Sequence, residues 1–182
     1  LTDYIYQQKN NSNVQTYTNI DAYLWGGDLK GSLQLPADFS LDAGIAWQQG
    51  RKRTRPVNNY SDNLGQIAPL KTRMALNYNN AAPFGQNDAG LFGAFEWVHS
   101  NAATDIDSYA GEKQLGAWDI FNLRVGYRYR FATLNIGVDN LFDKTYASAN
   151  SYEWDVVGGT GANPAIVNEP GRFVYGSLSF KW

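Results

Sequence analysis

Phe121-Asn-Leu-Arg-Val-Gly-Tyr-Arg-Tyr-Arg-Phe131 alternates apolar and polar side chains at every step. One set reads Phe121, Leu123, Val125, Tyr127, Tyr129, Phe131; the other reads Asn122, Arg124, Gly126, Arg128, Arg130. On a strand, successive side chains point to opposite faces, so the two sets separate cleanly. On a helix the arginines would be smeared around the cylinder and no apolar stripe would remain. This stretch is a strand.

The same parity recurs outward from it. Phe39, Leu41, Ala43, Ile45 and Trp47 alternate with Ser40, Asp42, Gly44, Ala46 and Gln48. Leu70, Met74, Leu76 and Tyr78 alternate with Lys71, Arg73, Ala75 and Asn77, and Val174, Leu178, Phe180 and Trp182 with Tyr175, Ser177, Ser179 and Lys181. Weaker versions occupy Leu1–Lys9, Ile20–Leu35, Ala89–His99 and Thr133–Val138. That makes about eight strands, many near the length that crosses a bilayer at a tilt. Tight corners at Pro36–Asp38 and Arg130–Thr133 and a turn-rich Asn79–Asn87 alternate with long polar segments, Arg51–Gln66, Ala102–Ala117 and Ala149–Pro170. Short turns at one end and long loops at the other are the pattern of a transmembrane barrel.

A soluble antiparallel sandwich also alternates. Two features count against it. The apolar faces end in aromatics, Trp118/Phe121 against Tyr129/Phe131 and Phe95/Trp97, as at two water–lipid interfaces. The polar faces carry full charges at mid-strand, including Arg73, Arg124 and Arg128, which suits a hydrated or plugged lumen. The fold expected is therefore all-β, an antiparallel transmembrane β-barrel.

Composition sets the outer limits. The chain has 182 residues, with 15 Lys+Arg against 17 Asp+Glu, which argues against a nucleic-acid binder. Mean hydropathy is −0.44, but strands that are apolar at every second position escape such averages. The absence of cysteine removes disulfides, thiol catalysis and thiolate-bound zinc.

The last third carries two motifs. Val138-Asp-Asn-Leu-Phe-Asp-Lys-Thr-Tyr146 is followed, after a long loop, by Asn168-Glu-Pro-Gly-Arg172 and a closing aromatic strand ending at Trp182. With Asn19-Ile-Asp-Ala22, Gly27-Asp28 and Gln66-Ile-Ala-Pro-Leu70, these resemble the C-terminal part of TonB-dependent outer-membrane receptors, and their wording is most like the copper-receptor branch. The resemblance implies that residues 1–182 are the last eight or so strands of an up-and-down barrel of about 22 strands. It implies that the plug domain, the TonB box and the earlier strands lie outside this sequence, and that Leu1–Lys9 and Gly171–Trp182 are open edges. It further implies energy-coupled uptake of a scarce solute (a metal ion, a metal chelate or similar) across the bacterial outer membrane. The partners implied are the plug, the TonB energy-transducing complex through it, outer-membrane lipid and lipopolysaccharide, and the barrel-assembly machinery. No cofactor is expected.

Within that frame, Asn140, Leu141, Phe142, Asp143, Lys144, Tyr146, Pro170, Gly171 and Arg172 are read as packing and turn devices rather than chemistry. Lys71, Arg73, Arg124, Arg128 and Arg130 are expected to face the lumen, meeting carboxylates on the plug or on strands, such as Asp42 and Asp139. Arg51, Lys52, Arg53 and Arg55, above Trp47, suit lipopolysaccharide phosphates. Tyr60, Tyr109, Tyr152 and Trp154 are the candidates for a ligand vestibule. Phe180 and Trp182 match the family's terminal assembly signal.

Enzyme readings are weak. His99 is the only histidine, and adjacent His99 and Ser100 point opposite ways on a strand, so no hydrolase pair forms there. Asp105, Asp107 and Glu112 read as a solvated acidic loop. With no Cys, one Met and one His, a soft copper site cannot close within this chain. The competing architecture is a complete eight-stranded barrel with a structural or adhesion role; a backbone ladder between the first and last strands would mark it.

Overall fold

The computed structural model describes residues 1–9, 15–54, 59–107, 112–149, 151–153 and 165–181. Its strands are β1 (Tyr4–Lys9), β2 (Gln15–Gln34), β3 (Phe39–Thr54), β4 (Asn59–Asn63), β5 (Lys71–Asn80), β6 (Ala89–Ser100), β7 (Trp118–Tyr129), β8 (Ala132–Asp139), β9 (Tyr152–Glu153), β10 (Ala165–Ile166) and β11 (Phe173–Phe180). One nine-stranded antiparallel sheet runs β1-β2-β3-β5-β6-β7-β8-β11, with β4 paired to the upper end of β3. β9 and β10 form a separate small hairpin in the segment that leads to β11. Among the described residues no helix is long and apolar enough to cross a membrane.

The register converts alternation into two faces. Leu33, Leu41, Leu76, Phe95, Leu123, Val138 and Val174 lie opposite one another in a continuous apolar row across the sheet. The neighbouring row on the other face is Ser32, Asp42, Ala75, Glu96 and Asn122. A one-residue slip anywhere would swap these rows, so the pattern pins the register. The apolar face is bare, with Leu29 at 69% and Leu178 at 59% exposure. Aromatics bound it at both ends: Trp25, Trp47 and Trp97 towards the long loops, and Phe39 against Tyr78 (4.9 Å) and Phe131 against Phe180 (6.2 Å) towards the short turns.

β1 and β11 are the two edges of the sheet, and no pairing joins them among the described residues. The ladder that would mark a closed eight-stranded barrel is absent from that set.

Three expectations are corrected. The alternating stretch ends at Tyr129, and Arg130 occupies the β7–β8 turn with φ 51°. Its guanidinium lies 3.5 Å from Asp88 in the preceding turn, so Arg130 does not join the polar row. Trp118 has the parity of Asn122 and Arg124, not that of Phe121, and is buried on the polar face. Finally, Arg51–Gln66 is not simply a loop: β3 runs on to Thr54 and β4 returns along it.

Candidate functional site

The polar face holds the charges that alternation assigned to it. Lys71, Arg73, Arg124 and Arg128 share it by register, through partners Ser100, Val98, Ala94 and Gly90 on β6. Their partners are mostly local. Arg73 forms an ion pair with Glu96 and donates a further 2.6 Å bond through Nε. Asn122 donates to the other Glu96 oxygen at 2.9 Å, and the Asn140 backbone N–H donates to Asn122 at 2.9 Å. This chain of bonds crosses three strands, with Glu96 only 7% exposed. A buried polar side chain needs such full pairing to offset its lost hydration.

Arg124 lies 3.6 Å from Asp139 and donates to the Tyr175 hydroxyl at 3.2 Å. Tyr175 packs its ring over Gly137, where any Cβ would come within 2.2 Å of it. The gap that Gly137 leaves in the polar face is thus filled by its cross-strand neighbour. Asp42 accepts a 2.7 Å bond from Asn77. Beside it, the missing side chain of Gly44 opens a hollow of about 570 Å³ walled by Lys30, Asp42, Lys71 and Arg73. Glu96 was not anticipated as the partner of Arg73. Its signal was present: it is the one acid in β6, and it sits at polar parity.

Near the long-loop end, Lys71 lies over the Trp118 ring at 5.5 Å, and Trp118 packs on Tyr146 at 4.5 Å. Burial, and then the Glu169 carboxylate, push the Tyr146 phenol above its ordinary pKa.

The β6–β7 segment folds onto the polar face at the same end. Lys52, Tyr6 and Asp107 meet there: Lys52 and Asp107 form an ion pair, Lys52 Nζ donates to the Tyr6 hydroxyl at 2.6 Å, and Tyr6 donates to Asp107 at 2.5 Å. Lys52 is 1% exposed and Asp107 2%. Glu112 accepts backbone N–H bonds from Asp107 at 2.8 Å and Gln66 at 2.5 Å. The expectation of a solvated acidic loop is therefore corrected for Asp107 and Glu112. Lys52 is also corrected: β3 continues through it, its parity is opposite to that of Trp47, and it turns inward, away from any phosphate on the apolar side. Arg51 and Arg53 keep the parity of Trp47, and Arg53 lies 3.5 Å from Asp21. Arg55 lies outside the described residues.

The Asn-Leu-Phe-Asp-Lys motif is a clamp. Asn140 takes φ 51° and Asp143 φ 56°, in the left-handed region that Asn and Asp tolerate best. The Asn140 amide bonds both the N–H and the C=O of Lys144 at 2.8 Å, and reaches the Pro170 carbonyl at 3.4 Å. Asp143 accepts from the Arg172 backbone N–H at 2.7 Å, directly before β11. A Cβ at Gly171 would lie 2.7 Å from the same carboxylate, so a larger residue there would push the Asp143 side chain off its bond to Arg172. Leu141 donates its N–H to the Phe121 carbonyl, and Phe142 stacks edge-on to Phe121 at 5.3 Å. Asn140, Asp143 and the Pro170–Arg172 stretch together fasten β8 to β11 across the long connection.

Other candidates separate. His99 sits on the apolar face, bonded to Asp119 (2.9 Å) and Asn101 (2.9 Å), while Ser100 is buried on the opposite face. Met74 shares the apolar face with Trp97. Among the described residues no group of three or more His, Cys, Asp or Glu is placed to hold a metal. Tyr109, Trp154 and Trp182 lie outside the described residues, as do the side chains of Tyr60 and Tyr152, whose backbones belong to β4 and β9.

A continuous ladder with one bare apolar face, aromatic bands at both ends of it and a charged, hydrogen-bonded opposite face is the wall of a transmembrane β-barrel. The chain belongs to the TonB-dependent receptor family: the family model "TonB dependent receptor-like, beta-barrel" matches residues 1–141. It is 30% identical over 178 residues to the ferric enterobactin receptor of Pseudomonas aeruginosa, covering 90% of this chain and 23% of that protein. The solved copper transporter OprC superposes on 100% of this chain and 27% of its own, with a TM-score of 0.81 and 26% identity. The FrpB iron transporter from Neisseria meningitidis shares the fold at 17% identity, with a TM-score of 0.60 over 100% of this chain and 26% of its own. The chain thus spans about a quarter of the length of these relatives.

Proposed function

We propose that this chain forms part of the barrel wall of a bacterial outer-membrane receptor that takes up a scarce, metal-containing solute by TonB-coupled transport, and that it is not an enzyme. The observation that carries this is the register: one uninterrupted apolar row on the bare face, with Lys71, Arg73, Arg124 and Arg128 on the other. In this reading the bare face meets lipid and the charged face lines a lumen occupied by the receptor's own plug, through which TonB acts. The exposed edges β1 and β11 pair with further strands of the same barrel. The last strand, with Phe180 and Trp182, is read by the barrel-assembly machinery. Arg51 and Arg53 meet lipopolysaccharide phosphates, and Tyr60, Tyr109, Tyr152 and Trp154 contribute to the solute vestibule.

Met74 and His99, the only Met and His, both turn away from the polar face, and there is no cysteine. A copper ion would have to find its ligands elsewhere in the receptor. Uptake by the full-length receptor tests the reading, with radiolabelled iron as ferric enterobactin and copper as the ion for probes. The expected result is accumulation of at least one probe that stops when TonB is deleted. Transport of neither, or undiminished uptake without TonB, would refute it.

A further inference from the structure

We infer that Phe84, in the turn between β5 and β6, is a membrane anchor whose ring enters the headgroup layer of the bilayer at the short-turn end. The observation behind this is a conflict between the residue and its place. Phe84 takes φ 57° and ψ 26°, Gly85 takes φ 72°, and the Gln86 N–H donates to the Pro83 carbonyl at 3.1 Å. This is the geometry of a type I′ turn, whose two central residues are both left-handed and are ordinarily Asn-Gly, Asp-Gly or Gly-Gly. A bulky side chain at the first of these positions is strained against its own backbone. The same ring is 88% exposed, the most open of the large apolar side chains among the described residues. Strain and exposure both disfavour Phe in water, and Asn would remove both. A backbone outlier of this kind points to a contact for which the strain is worth holding.

Two features of the turn select lipid as the other side of that contact. The first is charge. Asn79–Asn87 runs for nine residues without an ionisable side chain, and Ala81, Ala82 and Phe84 in it are exposed. The neighbouring corners at the same end each carry a charge, Asp38 in one and Arg130 in the other, so neutrality is particular to this turn. The second is continuity with the aromatic band. Tyr78, which packs on Phe39 at 4.9 Å on the bare face, stands two residues before the end of β5, the strand that feeds the turn. An aromatic ring at a lipid boundary leaves water while the polar groups around it stay hydrated. The amides of Asn79, Asn80, Gln86 and Asn87 are those polar groups here. The inference rests on the bare face meeting lipid and not on transport, so its test needs no solute.

The experiment uses the full-length receptor in vesicles of phosphatidylethanolamine and phosphatidylglycerol, on a background free of other cysteines; this chain contributes none. Spin labels are placed singly by Phe84→Cys, by Ile136→Cys on the bare face and by Asp105→Cys in the β6–β7 segment, all three positions being exposed. Collision with oxygen reports lipid, and collision with a water-soluble nickel chelate reports water. Folding of each variant is checked by heat-modifiable migration. The label at Phe84 should favour oxygen, as at Ile136, and not nickel, as at Asp105. A nickel-dominated reading at Phe84 would overturn the proposal, and so would shielding from both reagents, which would mean that protein covers the turn. A water reading at Ile136 would instead refute the lipid-facing wall itself, and this inference with it. The second measurement is urea unfolding of Phe84→Asn in the same vesicles. The folded-to-unfolded ratio should fall about ten-fold, the lost burial of the ring outweighing the strain relieved. A ratio equal to the native one or above it would overturn the proposal, since relief of strain alone acts in that direction.

Discussion

Asn140→Ala isolates what the Asn-Leu-Phe-Asp-Lys motif does. Asn140 makes two 2.8 Å side-chain bonds to the Lys144 backbone at φ 51°, while only 3% exposed. Each bond contributes about 1 kcal/mol net. The left-handed backbone adds about 1 kcal/mol of strain once Asn becomes Ala. The 3.4 Å contact to Pro170 adds little at that length. Together the substitution should destabilise the barrel by about 2–4 kcal/mol. Asn140→Gly loses the same bonds but carries no backbone strain, so it should fall about 1 kcal/mol short of Ala. Urea unfolding of the full-length receptor in lipid vesicles, followed by heat-modifiable migration, measures both. The uptake rate per folded receptor should not change, because the Asn140 side chain is buried and bonds only to backbone groups of its own chain. An Ala variant that unfolds with the native midpoint, or a Gly variant less stable than Ala, would refute the clamp. Native stability with lost uptake would show instead that the motif carries function directly.

Three further outcomes are expected. Leu123→Arg puts a guanidinium on the bare face one residue from Arg124 and should cost about 2–4 kcal/mol, whereas Arg124→Leu should cost less; near-equal losses by urea unfolding would mean that the faces are misassigned. Gly137→Val drives a side chain into the Tyr175 ring and should cost about 1–3 kcal/mol, and Tyr175→Ala in the same chain should relieve most of it. Trp182→Phe in the full-length receptor should leave the yield of folded barrel unchanged, while Trp182→Ser lowers it by forfeiting about 1.5–3 kcal/mol of interfacial burial and the terminal aromatic; equal yields would reduce Trp182 to an ordinary strand end.

How far the sequence carried depends on which interactions have a period. Eight of the nine strands of the sheet and their faces were legible because alternation repeats at every step and the register obeys it, whereas the open edges followed only from the family resemblance. Arg130 misled because the count of two was carried past the point where the chain turns. Trp118 misled in the other direction: its aromatic character suggested a membrane band, yet counting back from Phe121 already put it with Asn122. Lys52 was legible by the same count from Trp47, once β3 is allowed to run to Thr54. Its partner was not. Asp107 reaches Lys52 from a segment without periodicity, and a contact between a loop and a strand leaves no mark in either one's spacing. The motif around Asn140 was visible as a string, but its left-handed φ and its bond to Lys144 exist only in three dimensions.

The two faces of the sheet invert the order found in a soluble domain. There, apolar side chains pack inward and charges meet water. Here Leu29, Leu33, Ile136 and Leu178 stand open while Glu96, Asn122 and Lys52 are buried. Each of those open side chains would gain about 1.5–3 kcal/mol on leaving water. The polar network does not offset this, since hydrogen bonds exchanged with water contribute only about 1 kcal/mol apiece. The same side chains placed in hydrocarbon turn that penalty into the main stabilising force. The pairing of Arg73 with Glu96 and of Arg124 with Asp139 then has a second consequence. Charges already paired along the wall are tolerable on the polar face without a carboxylate supplied from outside it. Lys30 and Lys71, beside the Gly44 hollow, have weaker protein partners, an exposed Asp28 and the Trp118 ring. Together with Arg128, which forms no ion pair among the described residues, they carry the least compensated positive charge on this wall.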